Sequence, residues 1–396
     1  MHVYVIGAGV TGITTAYFLT KQGFKVTVLE KEKSPSSQTS RANGCQLSVS
    51  NAETWNSWRT LGKGIKWLFD PQAPLVINWT PNYKKYKWLF DFVRNIPNYE
   101  KNTIKTVQMA LDSQDAYEEI LREEDISYDR MDKGILHIYR SEKEFENAKR
   151  VNEIYAKAGL ERQQLDWQGV VDVENQINPE GIIGGFYTPT DYTGDIYKFT
   201  TQLANILKNK YGVEFLYDTE YKMHDPGYIW TKRGVGYKYD AVVICMGVYS
   251  GLGIYPIKGY SVTINLDPQS AITSPEVSLL DDEHKIVTAR LGVNRLRIAG
   301  TAEIGSFNKD IREDRIQPLL YWVQNNFPTV DTSDYIPWAG LRPMTPSMMP
   351  IIKRDRNKPK TFYNTGHGHL GWTLGAGTAR SCARQVLMAH NSLQKY

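Results

Sequence analysis

Gly7, Gly9 and Gly12 in VIGAGVTG keep the G-x-G-x-x-G spacing, and Glu30 follows about 20 residues on. Glycines and an acid so placed suit dinucleotide binding. Gly7 permits the tight turn, Gly9 lets backbone approach a pyrophosphate, and Gly12 lets helix and strand pack closely. A helix N-terminus after the turn offers N–H donors and partial positive charge to phosphate, while Glu30 can accept from ribose hydroxyls. An acid there disfavours a 2′-phosphate, hence NADP, but does not separate NAD from FAD, since both carry ADP. A second glycine-rich run, NTGHGHLGWTLGAG, occupies 364–377. Its His367 and His369 have no carboxylate or cysteine nearby at ligand spacing, so no metal is expected.

These loops need elements to hold them. VYVI is a short apolar run ending at Gly7. Ile13, Ala16 and Tyr17 then repeat at helical spacing until Gly23, and KVTVLE reads as a second strand. Near the C-terminus Ala379, Cys382, Ala383, Val386, Leu387 and His390 repeat with the helical period, and Thr373 is the expected N-cap. A chain of 396 residues should form two domains with a cleft between them. Hydrophobic residues at 41% and charged residues at 23% describe an ordinary globular protein. A net charge of +4, spread along the chain, argues against nucleic acid as a partner. Cys45, Cys245 and Cys382 have no CxxC spacing, which leaves neither a disulfide framework nor a zinc site. The N-terminus enters a strand without signal-peptide features, and no apolar run reaches the roughly 18 residues of a spanning helix. A cytoplasmic protein is expected.

After Glu30, the polar loop SPSSQTSRANGCQLS (34–48) stands where a plain NAD-binding unit would continue into another strand and helix. Here the sequence resembles the D-amino acid oxidase family of flavoproteins, and is most similar to its bacterial D-amino acid dehydrogenase branch. PLVINW after IKWLFDPQA, KGILHIYRSEKEFENA, DYTGDIYKFTTQLA, YPIKGYSVTI, RIAGTAEIGSF, GLRPMTP and NTGHGHLGWTLGAG follow in family order over nearly the whole chain. GLRPMTP together with GHGHLGWT is the most specific.

The resemblance implies FAD as cofactor and an α/β fold. A Rossmann-like FAD-binding domain (1–85, 145–250 and 335–396) would join a discontinuous α+β substrate domain (86–144 and 251–334) built on a mixed, largely antiparallel sheet. Gly7, Ala8, Gly9, Val10, Thr11 and Gly12, with Glu30 and Lys31, would hold the ADP half. Thr39, Ser40, Ala42, Asn43 and Gly44 would lie beside the FAD, with Glu220 and Tyr221 at the adenine. Cys245, Met246 and Gly247 would make a second approach to the pyrophosphate. Gly366, His367, Gly368, Leu370, Gly371, Trp372 and Thr373 would meet the isoalloxazine. A helix N-terminus aimed at the N1–C2=O edge would there stabilise the charge of reduced flavin.

The same resemblance makes Arg342 the clamp for a substrate carboxylate, close to the flavin. Arginine offers paired N–H donors where lysine offers a point charge. With the carboxylate held, the Cα–H can leave as hydride toward flavin N5, giving an imino acid that water converts to a 2-oxo acid and ammonia. Lys258 and Tyr260 in PIKGYSV and His284 in DDEHKIVTAR are further candidate contacts. At His284 the bacterial dehydrogenases usually carry tyrosine, and MTPSMMP replaces a more polar family stretch. Glu303 is expected to make a structural hydrogen bond. The expected activity is oxidative deamination of free amino acids of D configuration, with electrons passed to a quinone or carrier. Alternatives are an oxidase of glycine, sarcosine or a cyclic imino acid, or a dinucleotide-binding sensor without turnover. WNSWRTLGKGIKWLF (55–69) and YKKYKWLFDFV (83–93) interleave aromatics with lysines. This pattern suits peripheral contact with the inner face of the cytoplasmic membrane, or core helices with solvated lysines.

Overall fold

A computed structural model describes residues 1–67, 74–78, 80–305 and 307–393. Leu68–Ala73, Trp79 and Ser306, which belong to matched stretches, lie outside the described residues.

The N-terminal run forms strand β1 (His2–Ile6), helix α1 (Val10–Lys21) and strand β2 (Lys25–Leu29). β1 alternates as its pleat requires. Val3 and Val5 join the core under α1, the helix Ile196–Asn209 and the C-terminal helix, whereas Tyr4 and Ile6 face Ile229 of a small antiparallel sheet and Tyr239 just after it. Gly7 takes φ +103° at the turn, and a Cβ there would lie 2.7 Å from the Cys245 carbonyl oxygen. A Cβ on Gly12 would lie 1.8 Å from the Gly7 carbonyl oxygen. Neither position can carry a side chain, and β1 and α1 therefore meet backbone to backbone.

Among the described residues, two large sheets frame the molecule. The first is a six-stranded Rossmann-like sheet in the order 351–354, 361–365, 241–244, β1, β2, 214–216. It is parallel throughout except at its 351–354 edge. The second has nine strands and runs 335–344, 255–265, 295–304, 286–291, 278–281, 135–139, 184–188, 163–166, with 75–77 also beside 295–304. It is mixed and largely antiparallel: 278–281 with 135–139 and 75–77 with 295–304 are its parallel pairs. The helix Glu313–Asn326 covers one face, packing Ile316, Leu319 and Val323 against Tyr260, Val262 and Ile298.

The strands at 75–77, 163–166, 184–188 and 335–344 belong to this second sheet, although the division read from the sequence put all four with the FAD unit. The strand Tyr335–Met344 pairs along its length with Tyr255–Ile264, which fixes its place.

The C-terminal helix spans Gly371–Leu393 and follows a short 3-10 turn at Gly368–Leu370. Thr373 therefore lies inside the first turn and is not the N-cap. Its Oγ1 instead accepts from the Ser48 amide at 3.3 Å. Gly375 and Gly377 are helical too, and a Cβ on Gly377 would lie 2.9 Å from the backbone of Ser113 in the helix Tyr99–Glu123.

Candidate active site

A cavity of about 1030 Å³ lies outside the carboxyl ends of the parallel strands, where Ile6, Leu29, Cys245 and Thr365 meet the face of the second sheet at Ile257, Ala299 and Leu341. Open α/β sheets bind ligands at this end. The volume is at the top of the range of roughly 300–1,000 Å³ usual for small-molecule sites.

Gly7, Gly9, Val10, Thr11, Glu30 and Lys31 line one end. Ala8 and Gly12 lie behind them: Ala8 is buried and donates its amide to Glu30 Oε2 at 2.6 Å. Glu32 N donates to Glu30 Oε1 at 3.0 Å, so two amides fix the carboxylate, while burial raises its pKa. The N-cap of α1 is Gly9, without a side-chain cap, and the first turn carries no acid. Thr39, Ser40, Ala42, Asn43 and Gly44 line the middle. Three bonds tie their loop to the second sheet: Thr39 Oγ1 donates to Leu341 O at 2.8 Å, Ser261 Oγ to Ala42 O at 2.7 Å, and Arg297 Nη1 to Asn43 O at 3.1 Å.

Glu220 and Tyr221 also reach the cavity, as do Cys245, Met246 and Gly247. From the second glycine run come Gly366, His367, Gly368, Leu370, Gly371, Trp372 and Thr373. His367 Nε2 is 2.8 Å from Thr378 Oγ1, and burial lowers its pKa to about 3, which leaves the imidazole neutral.

Arg342 is held with unusual economy. Its side chain crosses Gly259, where a Cβ would lie 2.4 Å from the guanidinium carbon. Nη1 donates to Thr301 O at 3.0 Å and Nη2 to Gly300 O at 3.4 Å. No carboxylate among the described residues pairs with it. Burial without a counter-ion lowers its pKa to about 10, so it stays charged at neutral pH. The result is a fixed cation, lining a cavity, whose two protein partners are neutral carbonyls.

The other substrate candidates lie elsewhere or are engaged. Tyr260 lines the cavity, but its hydroxyl donates to Glu303 Oε2 at 2.8 Å, and burial and that carboxylate push its pKa well up. Lys258 does not line the cavity and is not solvated. It is buried against Glu303 Oε2 at 3.2 Å and the Asp310 carbonyl. His284 is also off the cavity, on an exposed turn, with Nδ1 3.0 Å from Asp281 Oδ2. The next residue, Lys285, lines the cavity instead.

Sequence reading missed His369 as a site residue. Its ring stacks on Trp55 at 4.6 Å, lines the cavity, and has both nitrogens buried without partners. Ser36 Oγ, Thr301 Oγ1 and Trp372 Nε1 are likewise buried, unpartnered and on the cavity. Buried polar atoms in native proteins are nearly always satisfied, so this set points to a bound polar group. The glycine turn, a helix start with no acid in its first turn and the fixed Glu30 fit the ADP half of FAD, and the orphaned atoms beyond fit the rest.

Comparison with known proteins agrees. Residues 2–385 match DAO, the FAD dependent oxidoreductase family. D-amino acid dehydrogenase 3 of Mesorhizobium japonicum is 45% identical, covering 97% of this chain and 96% of that protein. A D-amino acid dehydrogenase of Dechloromonas aromatica is 36% identical, covering 98% and 97%. Among solved structures, glycine oxidase from Geobacillus kaustophilus superposes with a TM-score of 0.74 at 20% identity, covering 98% and 94%. L-proline dehydrogenase from P. horikoshii gives 0.72 at 18%, covering 98% and 93%. These structural likenesses speak for the fold. Site, fold and sequence together place the chain in the DAO family of FAD-dependent oxidoreductases.

Proposed function

We propose that this enzyme oxidises free D-amino acids to 2-oxo acids and ammonia, as a dehydrogenase that passes electrons to a quinone or carrier. The observation that carries the reading is Arg342, a positioned guanidinium on the cavity with no acid of its own. The names of the relatives support the D configuration and the dehydrogenase mode.

FAD, when bound, supplies the two-electron acceptor for the hydride that leaves Cα. The chain's residues supply position. Arg342 binds the carboxylate with paired donors and orients Cα. Gly259 and the carbonyls of Gly300 and Thr301 fix the height of the guanidinium above the sheet. The amides at the start of the Gly371–Leu393 helix bring partial positive charge to the flavin end. A substrate amine that binds neutral needs no protein base, and His369, kept neutral by burial and by the charge of Arg342, adds no competing charge there.

The cofactor roles follow the lining residues: the Gly7–Gly12 turn and Glu30 at the ADP half, Cys245–Gly247 at the pyrophosphate, and Gly366–Thr373 at the ring. We assign FAD binding to the segments that build the six-stranded sheet and substrate binding to those that build the nine-stranded sheet. Peripheral attachment to the cytoplasmic membrane is part of the same reading, supported by exposed Trp58, Tyr83 and Phe90 on lysine-bearing helices. No helix among the described residues is long and apolar enough to cross a membrane.

Steady-state kinetics of Arg342→Ala test the clamp. Loss of a charge-assisted pair should weaken carboxylate recognition by roughly 3 kcal/mol, about a hundredfold in kcat/KM, with FAD retained. Unchanged kinetics on the true substrate would remove Arg342 from the mechanism.

A further inference from the structure

Beyond Arg342 the cavity continues into a charged lobe that the reaction itself does not use. Lys285 stands at its near edge. Its carbonyl oxygen lies 3.0 Å from where a Cβ of Gly300 would be, and Gly300 is the residue whose carbonyl accepts from Arg342. Sheet order then carries the lobe across 278–281 and 135–139 to 184–188. There Arg162 lies over the rings of Phe186 at 4.8 Å and Tyr155 at 5.3 Å.

The acids of the lobe are accounted for. Asp282 is met by Lys285 Nζ at 2.9 Å, by the Tyr139 hydroxyl at 2.6 Å and by His137 Nδ1 at 3.0 Å. Glu144 takes Arg59 and, at 2.6 Å, Lys63. Glu53 accepts from the Tyr99 hydroxyl at 2.5 Å. Arg162 is left over. Its Nε and Nη2 are buried without a hydrogen-bond partner, and Asp191, the acid its charge acts on, is held instead by the Val49 and Ser50 amides. Guanidinium nitrogens buried without a hydrogen-bond partner cost free energy, and an anionic ligand group would relieve that cost.

The approach has the same sign. A depression of about 480 Å³ shares Arg59, Lys63, Trp67 and Glu144 with the main cavity and adds Lys66 and Lys143 against Glu283. Four cations and two acids at this mouth make it net positive, a field that draws anions inward.

We propose that this lobe is a second anion site, with Lys285 at its near edge and Arg162 behind, and that the preferred amino acid carries an acidic group on its side chain. This rests on the amino acid reading above and narrows it to a substrate class.

The test compares D-glutamate with its neutral isostere D-glutamine on the FAD-loaded enzyme. The kcat/KM ratio of acid to amide should exceed roughly tenfold, fall toward one in Arg162→Gln, and be largely kept in Arg162→Lys. Should Arg162→Gln fail to fold, Lys285→Gln, on an exposed turn, must lower the same ratio. A wild-type ratio at or below one overturns the proposal, as does a ratio that these substitutions do not move. Turnover of D-glutamine with no preference for D-glutamate sinks this inference alone. Failure of every amino acid to reduce the flavin sinks the underlying reading as well.

Discussion

Arg342 owes its position to an absence, since its guanidinium occupies the space a side chain at residue 259 would take. Gly259→Ala should therefore push the guanidinium off its carbonyl partners and raise KM for the substrate carboxylate while FAD content stays normal. An unchanged KM would mean that the crossing does not set the clamp. The buried histidines of the flavin loop carry a pH signature. Burial holds His367 and His369 at about 3, below the value of 6.5 they would have in an unfolded chain. Stability from these two neutral rings is full above pH 6.5 and is lost as pH falls toward 3, by roughly 1.4 kcal/mol per pH unit for each. Thermal unfolding measured across pH 4–7 should show a steep fall below about 6.5 that is shallower in His367→Gln. Equal slopes would contradict the assignment. At this scale the glycines and Arg342 were legible because local motifs carry them. Lys258 was not, because Glu303, which draws it away, lies on a neighbouring strand.

At the scale of elements, the strand–turn–helix of the first loop was readable because glycine spacing and apolar period agree there. The second loop was only half readable. Gly375 and Gly377 resemble loop residues, yet they are helical, made small by the close approach of the Tyr99–Glu123 helix. No local pattern reveals a partner helix from so far away in the chain. The aromatic helices likewise divide in a way that composition does not show. Trp88 is buried and donates to Met344 O at 2.9 Å, whereas Trp58, Tyr83 and Phe90 are 70%, 79% and 61% exposed. Interfacial aromatics beside lysines bind anionic membranes by burying rings while the ammonium groups stay at the headgroups. The protein should co-sediment with phosphatidylglycerol vesicles, and Trp58→Ser with Phe90→Ser should weaken that binding without lowering turnover. Equal partitioning of the variant and the parent would rule out these rings as the contact.

At the scale of the whole molecule, the two sheets and the cavity between them follow from the family resemblance, but the path of the chain between them did not. The division read from the sequence put 335–396 with the FAD unit, whereas the strand Tyr335–Met344 is hydrogen-bonded into the second sheet, a long-range pairing that no local pattern shows. The arrangement explains why two glycine loops so far apart serve one site: each caps the carboxyl end of a strand in the same parallel sheet, and the second sheet supplies the clamp opposite. The central claim is that a D-amino acid held by Arg342 reduces the bound flavin. Anaerobic absorption spectra of the FAD-loaded protein, taken before and after pooled D-amino acids and then pooled L-amino acids, glycine and prolines, test it most directly. Loss of the oxidised flavin band with the D pool is the predicted result; a band that persists with the D pool but is lost with another pool would contradict the substrate assignment.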